Sequence, residues 1–296
     1  MLENCRLCPR YCGVNRECGE VGYCGCGSKI KIARYSLHMW EEPCISGNAG
    51  SGTIFFSCCN LRCVYCQNYD ISIMGKGREI SVEEFSDICL DLQNNGALNI
   101  NLVTAVMYIP LVVDGIKLAK RRGLSIPIVY NSSGYESVEG LKLLEGSVDI
   151  YLVDFKYYDN ELSSRYSGVN NYKEYASEAI EEMYRQVGKN KFNKNKMMIK
   201  GLIIRHLVLP GCSSDSKMII KYLFDTYNDN IYLSIMNQYT PVRKIGIDSL
   251  DRCVTNSEYD NVVDFAYEVG VRNAFVQEGE TQKESFIPDF DVFRAI

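Results

Sequence analysis

An α/β fold with a parallel sheet is the class this sequence predicts, on three observations. Short apolar runs rich in β-branched residues alternate with segments of helical period, and such runs recur six times. Eleven of the fourteen cysteines, from Cys5 to Cys66, stand ahead of nearly all of that alternation. Units of this kind cross over right-handedly and either close into a barrel or spread into an open doubly wound sheet, and the pattern alone leaves both open. At 296 residues and 46% hydrophobic composition, the chain can bury one large core with an appendage, or two modest cores.

The first strand is expected at residues 53–57, Thr-Ile-Phe-Phe-Ser, just before a cysteine-rich loop. The helix expected at 81–94 opens with a capping box, Ser81 standing three residues before Glu84. Then follow a strand at 99–103, a helix at 111–122, a strand at 126–130, a helix at 137–144, and a strand at 150–153. A long helix at 172–186, a strand at 202–208, a helix at 214–227 and a strand at 231–235 complete the series. Residues 29–35 read as a hairpin, and the Lys/Asn-rich stretch 188–195 as a solvated loop. Residues 240–255 have no periodicity and read as a surface excursion or as a lid over the strand ends.

A net charge of −5 and a pI near 5.3 argue against nucleic acid or an anionic membrane as the main partner. The longest apolar stretch, 102–113, is interrupted by Thr104 and Pro110 and stops at Asp114, too short for a membrane span. The start, Met1-Leu2-Glu3-Asn4-Cys5, has no basic region followed by an apolar run, so no signal peptide and a cytoplasmic location are expected. The crowded cysteines point to metal or cluster chemistry near the N-terminus, whereas Cys89, on an apolar helix face, reads as a small core residue.

Cys59-Asn60-Leu61-Arg62-Cys63-Val64-Tyr65-Cys66 carries the chemistry. Three thiolates at these spacings can hold an iron–sulfur cube and leave its fourth iron open, where four would saturate it. Structural zinc wants four closed ligands, usually in paired knuckles, and no partner knuckle follows Cys66. Disulfides suit neither the size of the chain nor its expected compartment. Using Cys58 in place of Cys59 would spoil the spacing. With the apolar lead-in Gly52-Thr53-Ile54-Phe55-Phe56 and the trailing Gln67-Asn68, this motif resembles the signature of the radical S-adenosylmethionine (SAM) superfamily, in the branch of the pyruvate formate-lyase activating enzymes. The resemblance implies a partial (β/α)6 barrel of the radical SAM type, with a small Cys-rich N-terminal module over 1–50 and the core with a C-terminal extension over 51–296. It implies a [4Fe-4S] cluster held by Cys59, Cys63 and Cys66.

In a barrel, functional groups gather at the carboxyl ends of the strands. Those ends carry Thr104-Ala105-Val106-Met107-Tyr108, Asn131-Ser132-Ser133-Gly134-Tyr135 and Asp154-Phe155-Lys156. A zwitterionic nucleoside needs ribose hydrogen bonds, an acceptor for its amino group and a donor for its carboxylate, which Asn131, Ser133, Asp154 and Lys156 could supply. Asn131-Ser132-Ser133-Gly134 is similar to the family's T-N-G turn, and Asp154-Phe155-Lys156 to its D-x-K motif. Tyr65 stands where the family's aromatic packs near the adenine, and Asn68 and Thr104 join the cofactor-binding set by the same resemblance. Arg205-His206-Leu207-Val208-Leu209-Pro210-Gly211 is similar to the branch's R-x-x-V-x-P-G strand, so Arg205 is expected to point into the barrel and hold a carboxylate. Arg205 and Tyr108 are the catalytic candidates. His206 should face the other side of its strand in a structural role, and Gln238-Tyr239 is a candidate substrate contact.

Two departures from the branch stand out. Where it reads T-P-T-H-Y, this chain has Thr104-Ala105-Val106-Met107-Tyr108, so a histidine is lost, which implies a shifted substrate, a compensating residue or reduced activity. Cys58 stands where a glycine is common. Upstream, Cys5, Cys8, Cys12, Cys18, Cys24 and Cys26 form a second thiol-rich region. Cys5, Cys8, Cys12 and Cys24 match a module of the same branch (C-P-R-x-C-G-V-N-R) and form a candidate second metal site, for zinc or for an auxiliary iron–sulfur cluster. Glu41-Glu42-Pro43 also recurs there, and its two acids are expected to be solvated.

The reaction implied is one-electron cleavage of SAM to methionine and a 5′-deoxyadenosyl radical, which takes a hydrogen atom from a substrate. A flavodoxin- or ferredoxin-type donor and a protein substrate, such as a glycyl-radical enzyme, are the partners implied. A radical enzyme acting on a small molecule or a peptide, and a non-catalytic iron–sulfur electron carrier, are the competing readings.

Overall fold

The structure, a computed structural model, describes residues 1–277 and 288–295. Its strands are β1 (Ile30–His38), β2 (Ser51–Phe56), β3 (Arg78–Ile80), β4 (Ile100–Val103), β5 (Ile128–Ser132), β6 (Ile150–Asp154), β7 (Lys191–Phe192), β8 (Met198–Leu207), β9 (Tyr232–Met236), β10 (Ala274–Val276) and β11 (Arg294–Ala295). They form one curved sheet in the order β10-β9-β8-β6-β5-β4-β2-β1-β11, with β3 beside β1 and β7 beside β8. From β2 through β10 every neighbour on that path is parallel, and all six expected strands lie there.

Helices bridge successive parallel strands, as that geometry requires. Val82–Asn94 begins at the expected capping box, with Ser81 Oγ accepting from Glu84 N and Glu84 reaching back to the Ser81 N–H. Ile109–Arg121, Val138–Lys142, Tyr172–Val187 and Ser213–Tyr227 are the other expected helices. Two more lack an obvious apolar run in the sequence. Asn160–Ser167 is capped by Asp159, and Asn256–Val269 by a second capping box, Thr255 with Glu258.

Alternation along the strands sorts the side chains into two layers. Ile54, Phe56, Leu102, Tyr130, Val153, Leu202 and Ile204 face the helices in the main core. Val129, Ile150, Leu152 and Ile203 face the opposite, concave side and pack there with Cys44, Ile45 and Met198. The parallel strands are therefore buried on both faces and read as nearly continuous apolar runs. Toward the carboxyl ends the concave positions turn polar: Asn131, Asp154, Arg205 and Ser234 follow one another across neighbouring strands. That change makes room for a site.

Residues 29–35 do not form a hairpin. They belong to a single nine-residue strand, β1, antiparallel to β2 from Ile32↔Phe56 to His38↔Ser51, so the sheet continues across residue 50. The apolar positions Ile30 and Ile32 are fully buried there, which a free hairpin could not achieve. The link from β1 to β2 turns through the short helix Pro43–Ser46, whose Cys44 and Ile45 fill the concave side. Asn99 Nδ2 holds the carbonyl of Ile45 at 2.8 Å. Part of 188–195 also differs from expectation: β7 pairs with β8, although Lys191 and Phe192 stay exposed.

Candidate functional site

The cysteine loop leaves β2 through two left-handed residues, Cys58 (φ 73°) and Arg62 (φ 61°). These bends turn Cys59, Cys63 and Cys66 toward a common wall, and all three line one chamber of about 160 Å³. Asn68, Thr104, Asn131, Ser133, Asp154, Lys156 and Arg205 complete it. A second chamber of about 440 Å³ shares Cys63, Cys66, Asn131, Asp154, Lys156 and Arg205 and adds Tyr65, Trp40, Glu41, Glu42 and Gln238. The two are parts of one hollow over the carboxyl ends of the strands.

Each sulfur has a hydrogen-bonding neighbour. Ser167 Oγ donates to Cys63 Sγ at 2.9 Å, Leu61 N to Cys59 Sγ at 3.4 Å, and Ser72 Oγ lies 3.2 Å from Cys66 Sγ. Ser167 also meets the Tyr157 hydroxyl, which donates to Tyr65 Oη at 2.7 Å, so the sulfur wall and the aromatic wall are tied together. Burial, reinforced by the neighbouring Cys63, pushes the Cys59 thiol up to about 12, and burial raises Cys66 as well. A metal centre must displace these protons to bind.

At the centre lies a chain of charges. Lys156 Nζ meets Asp154 Oδ2 at 2.6 Å, Asp154 Oδ1 accepts from Arg205 Nε at 2.9 Å, and Arg205 Nη1 reaches Glu41 Oε2 at 3.3 Å. Arg205 Nη2 donates to Asn131 Oδ1 at 2.6 Å, and Asn101 Nδ2 to Glu41 Oε1 at 2.9 Å. Burial by itself would raise Asp154, but Lys156 and Arg205 outweigh it and hold the carboxyl below the ordinary aspartate range. Tyr172 braces the strand ends, donating toward the carbonyls of Ser133 and Asp154 and accepting from Lys156 N. Gly134 sits at φ 79°, where a Cβ would come within 2.4 Å of the Asp154 carbonyl; only glycine lets these two strand ends approach.

A profile of the Radical SAM superfamily matches residues 53–211, more than half of the chain. The chain belongs to the radical SAM superfamily. An uncharacterized protein of Methanocaldococcus jannaschii is 32% identical over 285 residues, 90% of this chain and 75% of that protein. The pyruvate formate-lyase-activating enzyme of Clostridium pasteurianum is 28% identical over 131 residues, 42% of this chain and 54% of that enzyme. The solved structure of Streptococcus suis SuiB bound to S-adenosylmethionine superposes with a TM-score of 0.52 at 11% identity, covering 76% of this chain and 49% of SuiB. The chain thus spans about half the length of these last two proteins, and the likeness to SuiB is one of fold.

The cofactors of a radical SAM enzyme are a [4Fe-4S] cluster and SAM, and the hollow suits both. Four cysteines line the smaller chamber, Cys59, Cys63 and Cys66 with the motif spacing and Cys58 beside them. The Cys58 thiol bonds Cys26, an interaction that pulls it down to about 7 against the opposing effect of burial. Among the described residues no three metal-binding groups stand close enough to grip a single ion. A cube, whose irons occupy separate corners, needs its thiolates further apart than that.

Of the other expected site residues, Tyr65, Asn68, Thr104, Asn131, Ser133, Asp154, Lys156 and Arg205 all line the hollow. Arg205 does point inward, but in this structure its carboxylates are Asp154 and Glu41. Tyr108 does not reach the hollow. It is wholly buried beneath the cysteine loop, stacked on Phe56 and donating toward Cys26 Sγ and the Ser57 carbonyl, so its place is that of a packing residue. His206 faces away from the hollow, between the Phe155 carbonyl and Ser216 Oγ, and burial lowers it to about 4. Glu41 and Glu42 are not solvated; Glu42 is buried and the Glu41 side chain is 9% exposed, both in the lining of the hollow, because the Pro43 turn carries them inward from the end of β1. Their signal in the sequence was two acids set directly before a proline, at the exit of an apolar strand. Within 240–255, Arg243 Nη2 bonds the Val64 carbonyl at 2.6 Å and its guanidinium lies over Tyr69, so this stretch leans on the cysteine loop.

Cys5, Cys8, Cys12 and Cys24 also come together, around an enclosed space of about 10 Å³ behind the cysteine loop. Their module is clamped to the barrel. Arg10 Nε donates to the Asn60 carbonyl at 3.0 Å, and the buried Arg16 bonds the carbonyls of Gly27 and Met107. Ser137 Oγ holds the Arg6 carbonyl.

Behind the Asn131–Gly134 turn lies Glu136, buried and hydrogen-bonded by Ser132 Oγ (2.5 Å) and Tyr130 Oη (3.2 Å). Burial outweighs those bonds and raises its carboxyl to about 8. A folded-state value above the unfolded one gives stability that is complete below about pH 4.5 and lost as pH rises toward 8. Glu136→Gln is expected to flatten that fall. Urea melts at pH 5 and pH 8 should show a wild-type loss on the order of a few kcal/mol that the variant lacks, and equal losses in both proteins would refute the assignment.

Proposed function

We propose that this chain cleaves SAM reductively in the hollow and uses the resulting radical to take a hydrogen atom from a polypeptide substrate. The observation that carries the reading is the convergence of Cys59, Cys63 and Cys66 with the Asn131, Asp154, Lys156 and Arg205 network in one hollow at the strand ends. Bound to those three sulfurs, the cluster supplies the single electron that splits the carbon–sulfur bond of SAM. The chain's own part is to position and to exclude. Lys156 and Asp154 present a cation and an anion to the zwitterionic end of SAM, Asn131 and Ser133 present polar groups to its ribose, and Tyr65 offers a buried ring to its base. The tyrosines around Tyr65 form a dry wall, since Tyr157, Tyr166 and Tyr239 all pack near it in the core. A flavodoxin- or ferredoxin-type protein delivers the electron. A polypeptide substrate is favoured by the Clostridium pasteurianum relative, which by name activates pyruvate formate-lyase.

The test is anaerobic reconstitution with iron and sulfide, followed by SAM and dithionite. 5′-Deoxyadenosine above a cluster-free control is the expected product; its absence, with a cluster that ignores SAM, would favour an electron carrier instead.

The N-terminal sulfurs are assigned a second, structural metal. The four thiols line one small space, but no three of them stand close enough to grip one ion, so zinc and an auxiliary iron–sulfur cluster are both carried forward to the test. Metal analysis of the purified wild type and Cys8→Ala should show a metal, zinc or additional iron, that the variant loses while it keeps the iron of the Cys59–Cys66 loop. Equal metal content in both proteins would remove the assignment.

A further inference from the structure

Glu42 is a buried acid with no role in the network just described. It is 7% exposed, it lines the larger chamber, and its Oε2 has no hydrogen-bond partner. The Ser234 hydroxyl lies beside the carboxylate, and Arg205 attracts it from a distance, but the hydrogen bonds Arg205 makes go to Asp154, Asn131 and Glu41. Glu41 by contrast is fully engaged, by Arg205 and Asn101.

Charge makes the same point. Among the described residues lining this chamber, the three carboxyls of Asp154, Glu41 and Glu42 face the two cations Lys156 and Arg205, and burial raises Glu41 and Glu42. His38 adds no positive charge, since burial lowers it to about 4. A buried carboxyl that no cation bonds is pushed toward its neutral form, and a cation brought to its open oxygen would restore the charge and gain a charge-assisted hydrogen bond. Glu42 lines only the larger chamber, outside the one lined by all three cluster cysteines. Aromatic side chains stand in the same lining, Trp40, Tyr239 and Phe275 among them, and aromatic faces also attract cations.

We propose that Glu42 is the specificity residue of this chamber and receives an ammonium or guanidinium group of the substrate. The proposal rests on reading the hollow as the reaction site and names the chemistry its substrate must carry. On a polypeptide that group is a lysine or arginine side chain near the carbon that loses hydrogen.

The chain's single tryptophan, Trp40, lines the chamber and provides the readout. The reconstituted, SAM-loaded full chain is titrated with n-butylammonium and n-propylguanidinium, which are those side chains as free molecules, and with n-butanol and pentanoate as neutral and anionic counterparts. The cations should change Trp40 emission saturably and bind at least about tenfold more tightly than the alcohol, as a charge-assisted hydrogen bond in a cavity implies. Glu42→Gln should abolish that preference and Glu42→Asp should retain part of it. A wild-type chain that binds alcohol and cations alike overturns the proposal without any variant, and so does a preference that survives in Glu42→Gln. 5′-Deoxyadenosine formation, followed separately in the wild type, tests the underlying reading of the hollow. Its failure would leave the cation measurement standing or falling by itself.

Discussion

Replacing Cys63 with alanine is expected to abolish 5′-deoxyadenosine formation and to strip the chain of its site-bound iron. Cys63 is the middle sulfur of the three, it is buried, and it lines both chambers, so it stands where the sulfur wall and the cofactor space meet. Two sulfurs cannot hold a cube that three hold with one corner open. The neighbouring donor allows a graded control. Ser167 Oγ gives its hydrogen bond to Cys63 Sγ, and loss of such an outer partner costs about 10–100-fold in metal affinity or activity. Ser167→Ala should therefore fall between the wild type and Cys63→Ala. Cys89→Ala is the opposite control. That thiol is buried in the helix Val82–Asn94, packed in the main core, and its loss should lower stability slightly and leave iron content and product unchanged. Iron quantified after anaerobic reconstitution, with product measured by chromatography, gives both readouts. Full turnover in Cys63→Ala would end the assignment of the cluster to this loop.

Much of this arrangement is legible in the sequence, because parallel strands buried on both faces leave unmistakable apolar runs and their carboxyl ends are where polarity returns. Asp154, Lys156 and Asn131 were proposed by that rule, and Arg205 by its likeness to a family strand; the structure brings all four to the wall of the hollow. The same rule misplaced Tyr108. It follows a strand end, but a 3₁₀ turn over Val106–Tyr108 rolls the ring under the cysteine loop, and no local pattern reports such a turn. The strand β1 was hidden for a different reason. Its partner, β2, is adjacent in sequence but antiparallel, and the Cys-rich context of residues 29–35 suggested a module with its own hairpin instead of an extension of the core sheet. Glu41 and Glu42 escaped because burial of an acid depends on partners far along the chain: Arg205 is 164 residues from Glu41. Helix Asn160–Ser167 is mostly polar, so periodicity gave no warning of it.

The buried charge chain leads to the second large effect. Asp154→Ala is expected to destabilise the fold by about 3 kcal/mol, near the low end for breaking a buried pair because the side chain is 18% exposed to the hollow. In a chain of 296 residues that is a fall in Tm of roughly 5 °C. The cause is what the substitution leaves behind. Among the described residues Lys156 loses its only hydrogen-bonded anion, while Arg205 keeps Glu41 and Asn131. Removing Lys156 as well should therefore recover part of the loss: Asp154→Ala with Lys156→Met is expected to be more stable than Asp154→Ala alone, and the double-mutant cycle measures the coupling. The pH dependence has a definite sign. Asp154 is held below its unfolded value, so its contribution is complete above about pH 4 and is lost as pH falls through the lower folded-state value. The gap in stability between wild type and Asp154→Ala should accordingly be widest near neutrality and close in acid. A constant gap down to about pH 2 would show that the aspartate acts through shape and not through charge. Because the same two residues present their charges to the cofactor space, the double variant separates the two roles: it should regain stability without regaining SAM cleavage.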